Sequence, residues 1–425
     1  MNEPPMTPLS GPLSRPQVVS WRNAIFVVFL LPGLAFASWA SRLPAVRDAL
    51  DVGVDQVGLL IFGFAVGSIA GLVLSGHIVA RLGAKTTIMW GLVITSSGLM
   101  LAGVGATVGP VFAVAFGGLM VFGFASGIID VAMNVSGAAN ERVLGRAIMP
   151  IFHAFFSFGT MLGAGLGALA EHAAVPIAVH LGLVAAIVVI GMLFITRHIQ
   201  SEHTVEDGAE PVSTDDHSQT WRGRLSIWRD PRTLLIGVLV LSAGFAEGSA
   251  SDWLALAMVD GHGVDNARGA VVFGIFVTAM TVGRLGGVLL IDRFGRVPVL
   301  RVSFLLAAAG LFAIIFIPDP VVATIGAIAW GLGAALGFPI GMSAAAGDPR
   351  TAAARVSAVA TIGYFALLAG PPAIGFLGEH VGLLNALILV LVLCAVGALV
   401  ANAARETKKG DASTDTPANP IDAPR

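Results

Sequence analysis

One cysteine, Cys394, in 425 residues leaves no internal disulfide possible. Charge is almost as scarce. Only 12% of residues are Asp, Glu, Lys or Arg, against 56% hydrophobic. A water-soluble chain of this length has no interior large enough to hide so much apolar surface. The few charges nearly cancel, at a net −2, so no overall field points to nucleic acid. No Cys/His cluster has metal-ligand spacing, and no nucleophile–base pair stands out. Gly83-Ala-Lys85-Thr86 lacks the Gly-Lys-[Ser/Thr] order of a phosphate-binding loop. Asn134-Val-Ser136 fits a glycosylation pattern but falls inside an apolar run. These absences point away from an enzyme, a cofactor and a metal.

What is present is hydrophobic helix, twelve times over. Spanning a hydrocarbon layer of about 30 Å takes roughly 20 apolar residues. The runs are 21–46, 55–80, 86–106, 110–139, 148–171 and 175–196, then 232–257, 268–291, 297–317, 320–346, 353–378 and 381–403. The two sets of six share local wording. Gly127-Ile-Ile-Asp130-Val-Ala-Met-Asn134-Val-Ser-Gly137 has a counterpart in Gly337-Phe-Pro-Ile340-Gly-Met-Ser-Ala344-Ala-Ala-Gly347, and Glu171-His172 has one in Glu379-His380. The expected fold is an all-α integral membrane protein with twelve transmembrane helices in two pseudo-symmetric six-helix bundles. Such duplications build transporters that rock about a central site. The first run has no small-residue cleavage pattern after it, so it reads as a retained helix.

Basic residues set the orientation. With residues near a span's end counted to that side, 20 of the 24 Lys and Arg lie inside, 3 (Arg42, Arg47, Arg268) outside, and 1, Arg284, well within a span. That bias places both termini in the cytoplasm of a multi-pass protein of the inner or plasma membrane. Five regions follow: a tail, 1–20; a six-helix bundle, 21–196; a linker, 197–231; a second bundle, 232–403; and a tail, 404–425. The linker begins acidic and polar, which suits a flexible connection. It ends in Trp221-Arg-Gly-Arg-Leu-Ser-Ile-Trp228-Arg, either a segment lying on the anionic leaflet or a plain loop. Glycines at four-residue spacing, such as Gly63, Gly67 and Gly71, or Gly159, Gly163 and Gly167, mark close helix contacts. Pro32, Pro339, Pro371 and Pro372 fall inside spans, where they permit bends.

Two loops carry a resemblance. Gly76-His-Ile-Val-Ala80-Arg81-Leu-Gly83-Ala-Lys85 joins spans 2 and 3, and Asp292-Arg293-Phe-Gly295-Arg296 joins spans 8 and 9. Both resemble the Gly-x-x-x-Asp-Arg-x-Gly-Arg-Arg loop of the major facilitator superfamily. Ala80 stands at the Asp position of the first copy, and Val288 at the Gly position of the second. Asp130-Val-Ala-Met-Asn134 and Ala40-Ser-Arg-Leu-Pro44 are similar to two stretches of the fucose-permease-like proton symporters. Here Ala40 stands where that branch has an Asp, and Val135 where it has the Pro after Asn134. The resemblance implies alternating access, with spans 1, 4, 7 and 10 lining a central cavity.

Ionisable groups inside a membrane helix are costly and usually have a reason. Asp130, about 8 Å inward of its span's midpoint, is a proton carrier or a static partner for a buried Arg. Asn134 shares its face one turn on. Glu247 sits near the middle of span 7 among small residues, which suits a ligand-facing position. His153, among aromatics in span 5, is a packing residue or a ligand contact. Trp39 is placed to stack on a ring, and Arg42 to bind an anion or to snorkel. Asp252 and Trp253 lie nearer the outer mouth, where Trp often marks the interface. Arg284 is the single cation well within a span and needs a partner. Asp130 across the two halves is one choice, and carbonyls on its own side are the other. Arg81, Glu141, Arg142, Asp292 and Arg293 suggest a cytoplasmic gate of ion pairs.

The leading reading is a monomeric secondary active transporter of a small solute, with protons as a possible coupled partner. The alternative is an uncoupled facilitator or a membrane-embedded sensor on the same scaffold. An intramembrane enzyme is a distant third.

Overall fold

The computed structural model describes residues 13–145, 148–200, 227–346 and 352–405. Most of the expected linker and most of both tails lie outside the described residues, as does the greater part of the Trp221–Trp228 segment. The first half comprises α1 (Arg15–Ala40), α2 (Leu43–Leu50), α3 (Val54–Thr107), α4 (Phe112–Leu144), α5 (Met149–His172) and α6 (Ile177–Thr196). The second comprises α7 (Pro231–His262), α8 (Asn266–Phe294), α9 (Arg296–Phe316), α10 (Pro320–Ala334), α11 (Gly337–Ala345), α12 (Ala352–Val381), α13 (Leu383–Ala386) and α14 (Ile388–Val400), closed by a 3-10 turn at Ala401–Ala404.

Among the described residues, 11 helical segments are long and apolar enough to cross a membrane. One of them, α3, has 54 residues. At about 1.5 Å per residue that is more than twice a hydrocarbon thickness. It breaks at Gly83, whose φ of 75° and ψ of 157° lie outside the helical region. The two arms are separate crossings, which makes twelve. Gly295 adopts nearly the same backbone, φ 81° and ψ 166°, between α8 and α9. The two related loops therefore turn the chain in the same way, through a region that is essentially open to glycine alone.

Two expected spans are interrupted. The first was expected to run to 46, but α1 stops at Ala40 and α2 restarts at Leu43, with Pro44 in its first turn. Proline there has no amide to extend a ladder from α1. The run 320–346 divides into α10 and α11 around Ala335–Leu336. Pro339 cannot donate to the Ala335 carbonyl four residues back, which releases the helix at that point.

Glycines bring backbones together within each half. A Cβ at Gly67 would overlap the Met120 carbonyl of α4, and one at Gly159 the Leu30 carbonyl of α1. Trp21 Nε1 donates to Ser136 Oγ at 3.1 Å, and Asn140 Nδ2 to the Val18 carbonyl at 3.2 Å, fastening α1 to α4. Large apolar side chains remain on the outside, Leu193, Phe194, Leu289 and Leu399 among them. That is the surface lipid would cover. Cys394 is fully buried inside α14's packed face.

The halves meet along α3 against α12 and α5 against α8. Because the helices alternate in direction, one end of the bundle carries Arg15 and the Gly83 and Gly295 turns. We call it the terminal end, and the opposite one the distal end.

Candidate functional site

A row of polar groups runs across the middle of the first half. Asp130 and Asn134 are one turn apart on α4. Asn134 Nδ2 donates to the Asp130 carbonyl at 2.7 Å and reaches its carboxylate at 3.5 Å. The side-chain oxygen of Asn134 is 3.1 Å from His153 Nε2 on α5. An amide oxygen can only accept, so this nitrogen carries the proton and donates. Phe29 of α1 holds the imidazole by an edge-on ring contact, centroids 5.1 Å apart. Asp130 and His153 are both exposed, so the row faces open space rather than packed core.

The second half faces it with an ion pair. Arg284 Nη2 of α8 donates to Glu247 Oε1 of α7 at 2.7 Å. In this conformation Arg284 therefore pairs with Glu247, not with Asp130 and not with carbonyls of its own helix. Each partner keeps about a third of its side-chain surface, 31% and 32%. The guanidinium lies within electrostatic reach of His153, and the chain's single tyrosine, Tyr364 of α12, lies within reach of Asp130. Asp130, Asn134, His153, Glu247, Arg284 and Tyr364 thus form one constellation drawn from α4, α5, α7, α8 and α12.

Arg42 and Trp39 are elsewhere. Arg42 is 3% exposed. Its Nε lies 2.8 Å from Glu171 of α5, and its Nη2 donates to the Val175 carbonyl at 2.9 Å. Burial pulls its pKa below the usual arginine value, and the Glu171 carboxylate restores it only in part. Its position is that of a clamp between the α1–α2 and α5–α6 turns. Trp39 is also buried and lines a small distal cavity. Trp253, expected at an interface, is fully buried, while Asp252 beside it lines two cavities.

The polar contacts that link the halves lie at the distal end. Arg47 of α2 pairs with Asp260 of α7. Asn266 Nδ2 donates to Asp48 Oδ2 at 3.0 Å. The Val54 amide donates to Glu379 Oε2 at 3.0 Å, so a carboxylate of one half caps the start of α3 in the other. Gly58 of α3 approaches Pro371 and Gly375 of α12 closely beside them. At the terminal end, Arg81, Arg142, Asp292 and Arg293 are exposed, and none is in an ion pair among the described residues. Glu141 instead accepts the Ile148 and Met149 amides, at 2.6 and 2.7 Å, and caps α5. Among the described residues, the set expected to form a gate makes no ion pair in this conformation. The distal end is closed and latched.

A twelve-helix bundle with matching glycine turns and a polar centre between its halves invites comparison with known transporters. The model of the Major Facilitator Superfamily matches residues 24–366 and again 254–424. The chain belongs to the Major Facilitator Superfamily. Its relatives include an uncharacterized MFS-type transporter of Yersinia pestis, 32% identical over 85% of this chain and 89% of that one. An uncharacterized transporter of Sinorhizobium fredii, y4wD, is 31% identical over 87% and 97%. Among solved structures, the nucleoside transporter NupG superposes with a TM-score of 0.67 at 15% identity, covering 90% of this chain and 98% of that one. FucP in the outward conformation superposes with 0.61 at 18%, covering 92% and 100%. At such identities the structures speak for the fold alone. As a superfamily member, the chain is a multi-pass membrane transporter protein, not an enzyme, and small molecules are its class of cargo.

Sequence reasoning missed one residue of this superfamily member's interior and misjudged another. Tyr364 carried no signal beyond being unique in the chain. Asp252 did carry one: it is an acidic residue inside a predicted span, set aside only because its neighbour Trp253 suggested a membrane surface.

Proposed function

We propose that the protein is a secondary active transporter that moves a small polar solute through this central constellation by alternating access, coupled to protons through Asp130. The observation that carries the reading is the pairing of two opposed features. A row of hydrogen-bonding groups in one half faces a partly exposed ion pair in the other, and among the described residues the seam between them is latched at the distal end only. A ligand bridging Asn134 and His153 to Arg284 would touch both halves, which gives it a grip on their relative position. Among the described residues Asp130 has only Asn134 as a hydrogen-bonding partner and no cation in contact, so a proton is a natural way to neutralise it.

The positive-inside bias makes the terminal end cytoplasmic. The conformation is then open to the cytoplasm and closed outside. A monomer in the inner or plasma membrane suffices for such a cycle.

The test is transport by purified protein in liposomes, after a thermal-shift screen has supplied a substrate. Asp130→Asn is expected to abolish accumulation driven by a pH gradient and to keep counterflow exchange, which needs no net proton release. Full accumulation by the variant would remove Asp130 from the coupling role. Equal uptake by the wild-type protein with and without a gradient would favour the uncoupled facilitator.

A further inference from the structure

Asp252 is five residues beyond Glu247 on α7 and stands at the seam of the two halves. One small cavity, with room for about one water, reaches it past Phe36, Trp39, Ala40, Leu43, Ile61 and Phe64 of the first half. Another of similar size reaches it past Phe245, Ala366, Gly370 and Pro371 of the second. Apart from Asp252, no side chain lining either cavity is titratable or charged, whether it comes from α1, α2, α3, α7 or α12. The remaining polar walls are the Trp39 indole, Ser249 and Ser251, and the Ser251 hydroxyl is spent on the Glu247 carbonyl at 3.1 Å. Among the described residues the Asp252 carboxylate has neither an ion pair nor a hydrogen bond. It belongs to neither the central row nor the distal latch.

A lone carboxylate walled by aromatic and aliphatic groups is expensive to keep charged once water is excluded. With the seam closed, Asp252 is part-buried and each cavity beside it has room for little more than about one water; bulk water reaches it when the seam opens. We propose that Asp252 is a proton-binding site that licenses closure of the distal seam. With the seam open, the carboxylate is hydrated and takes one proton from the distal solution. The neutral acid is then covered as the halves close, and the proton leaves by the second cavity when the opposite end admits water. A charged Asp252 resists closure, so proton binding and conformation become one event. A metal cation is a poor occupant, because a hard cation needs about six oxygens and these walls offer a carboxylate and two hydroxyls. The inference rests on the proposed alternation of the halves, but it concerns a different carboxylate from Asp130.

The distal latch answers pH in the opposite sense. Protonating Asp48, Asp260 or Glu379 removes contacts between the halves and favours opening. The sign of the response therefore tells the two apart. Spin labels on cysteines at Val108 and Pro318, in exposed distal loops of the two halves, would report the opening without any substrate. In the otherwise unaltered chain, the distal-open fraction is expected to fall as pH is lowered from about 8 to about 5. Asp252→Asn, a permanent neutral mimic, is expected to reduce that fraction about fivefold at the higher pH and to abolish the fall, leaving only the latch's response of opposite sign. Asp252→Glu should retain it, which guards against a variant that merely misfolds. An unchanged pH response in Asp252→Asn would overturn the proposal, as would closure driven by sodium at fixed pH. If Asp260→Asn opens the seam while Asp252→Asn changes nothing, the alternation stands and only this inference fails. If no pH and no latch variant ever opens the distal side, the alternation itself fails.

Discussion

The Glu247–Arg284 pair shows how a membrane interior holds a charge. Arg284 lies deeper in its predicted span than any other Lys or Arg, and the helix next to it supplies its counter-ion at 2.7 Å. Truncating either partner strands the other at depth, which costs more than the pair contributes. Glu247→Gln and Arg284→Gln should each lower the thermal midpoint of the purified protein, and the double variant should recover part of the loss. A coupling of about 1 kcal/mol is expected from the double-mutant cycle for a pair this exposed; strict additivity would mean the contact is not formed in solution. Asp230 offers a pH-dependent case outside the spans. Burial opposes its charge, but the Thr233 hydroxyl, the Arg232 amide, Arg355 and the Thr233 amide outweigh it and hold the carboxyl below its usual range. A depressed folded value means that the stabilisation is complete above the unfolded value, about 3.9, and is lost as pH falls through the folded one. Asp230→Asn should therefore be about 1 kcal/mol less stable at neutral pH. The difference should shrink as pH falls below about 3.9 in thermal unfolding; a constant gap would show that the charge is not what matters.

At the scale of the element, the twelve crossings were legible because each needs one long apolar run, and hydropathy reports that directly. The ends were less so. Sequence merges α1 with α2 and α10 with α11, since proline breaks a ladder without lowering hydropathy. It also cannot tell which inward groups meet. Asp130 and Asn134 were adjacent on a helix by spacing alone, whereas the choice of Glu247 for Arg284 depends on how α7 packs on α8. Depth, the only measure sequence offered, pointed to Asp130. Gly295 allows a sharper test of the element boundary. Nothing lies within 4 Å of a Cβ built there, so any cost of a side chain is conformational. Gly295→Ala should destabilise by about 1–3 kcal/mol, measured by thermal unfolding. Gly117, helical and equally open, should accept alanine without loss. Similar outcomes for the two would remove strain from the account of the loop.

For the whole molecule, the placement of inter-half contacts decides which way the cavity opens. The distal latch combines one charge pair, one amide–carboxylate contact and one capped helix start. Asp260→Asn leaves Arg47 only Asp48, at 2.8 Å on its own helix. The open-distal population should rise about three- to fivefold, the worth of a partly exposed ion pair, read from labels at Val108 and Pro318. No change would mean that apolar packing around Gly58 and Gly375 holds the seam unaided. These labelling experiments gain from the buried Cys394. A thiol sealed in a helix core is out of reach of dyes and spin labels while the chain is folded. The natural sequence is therefore a silent background for introduced cysteines. It also carries its own melting reporter, since a maleimide dye should light up only when α14 comes away from its neighbours.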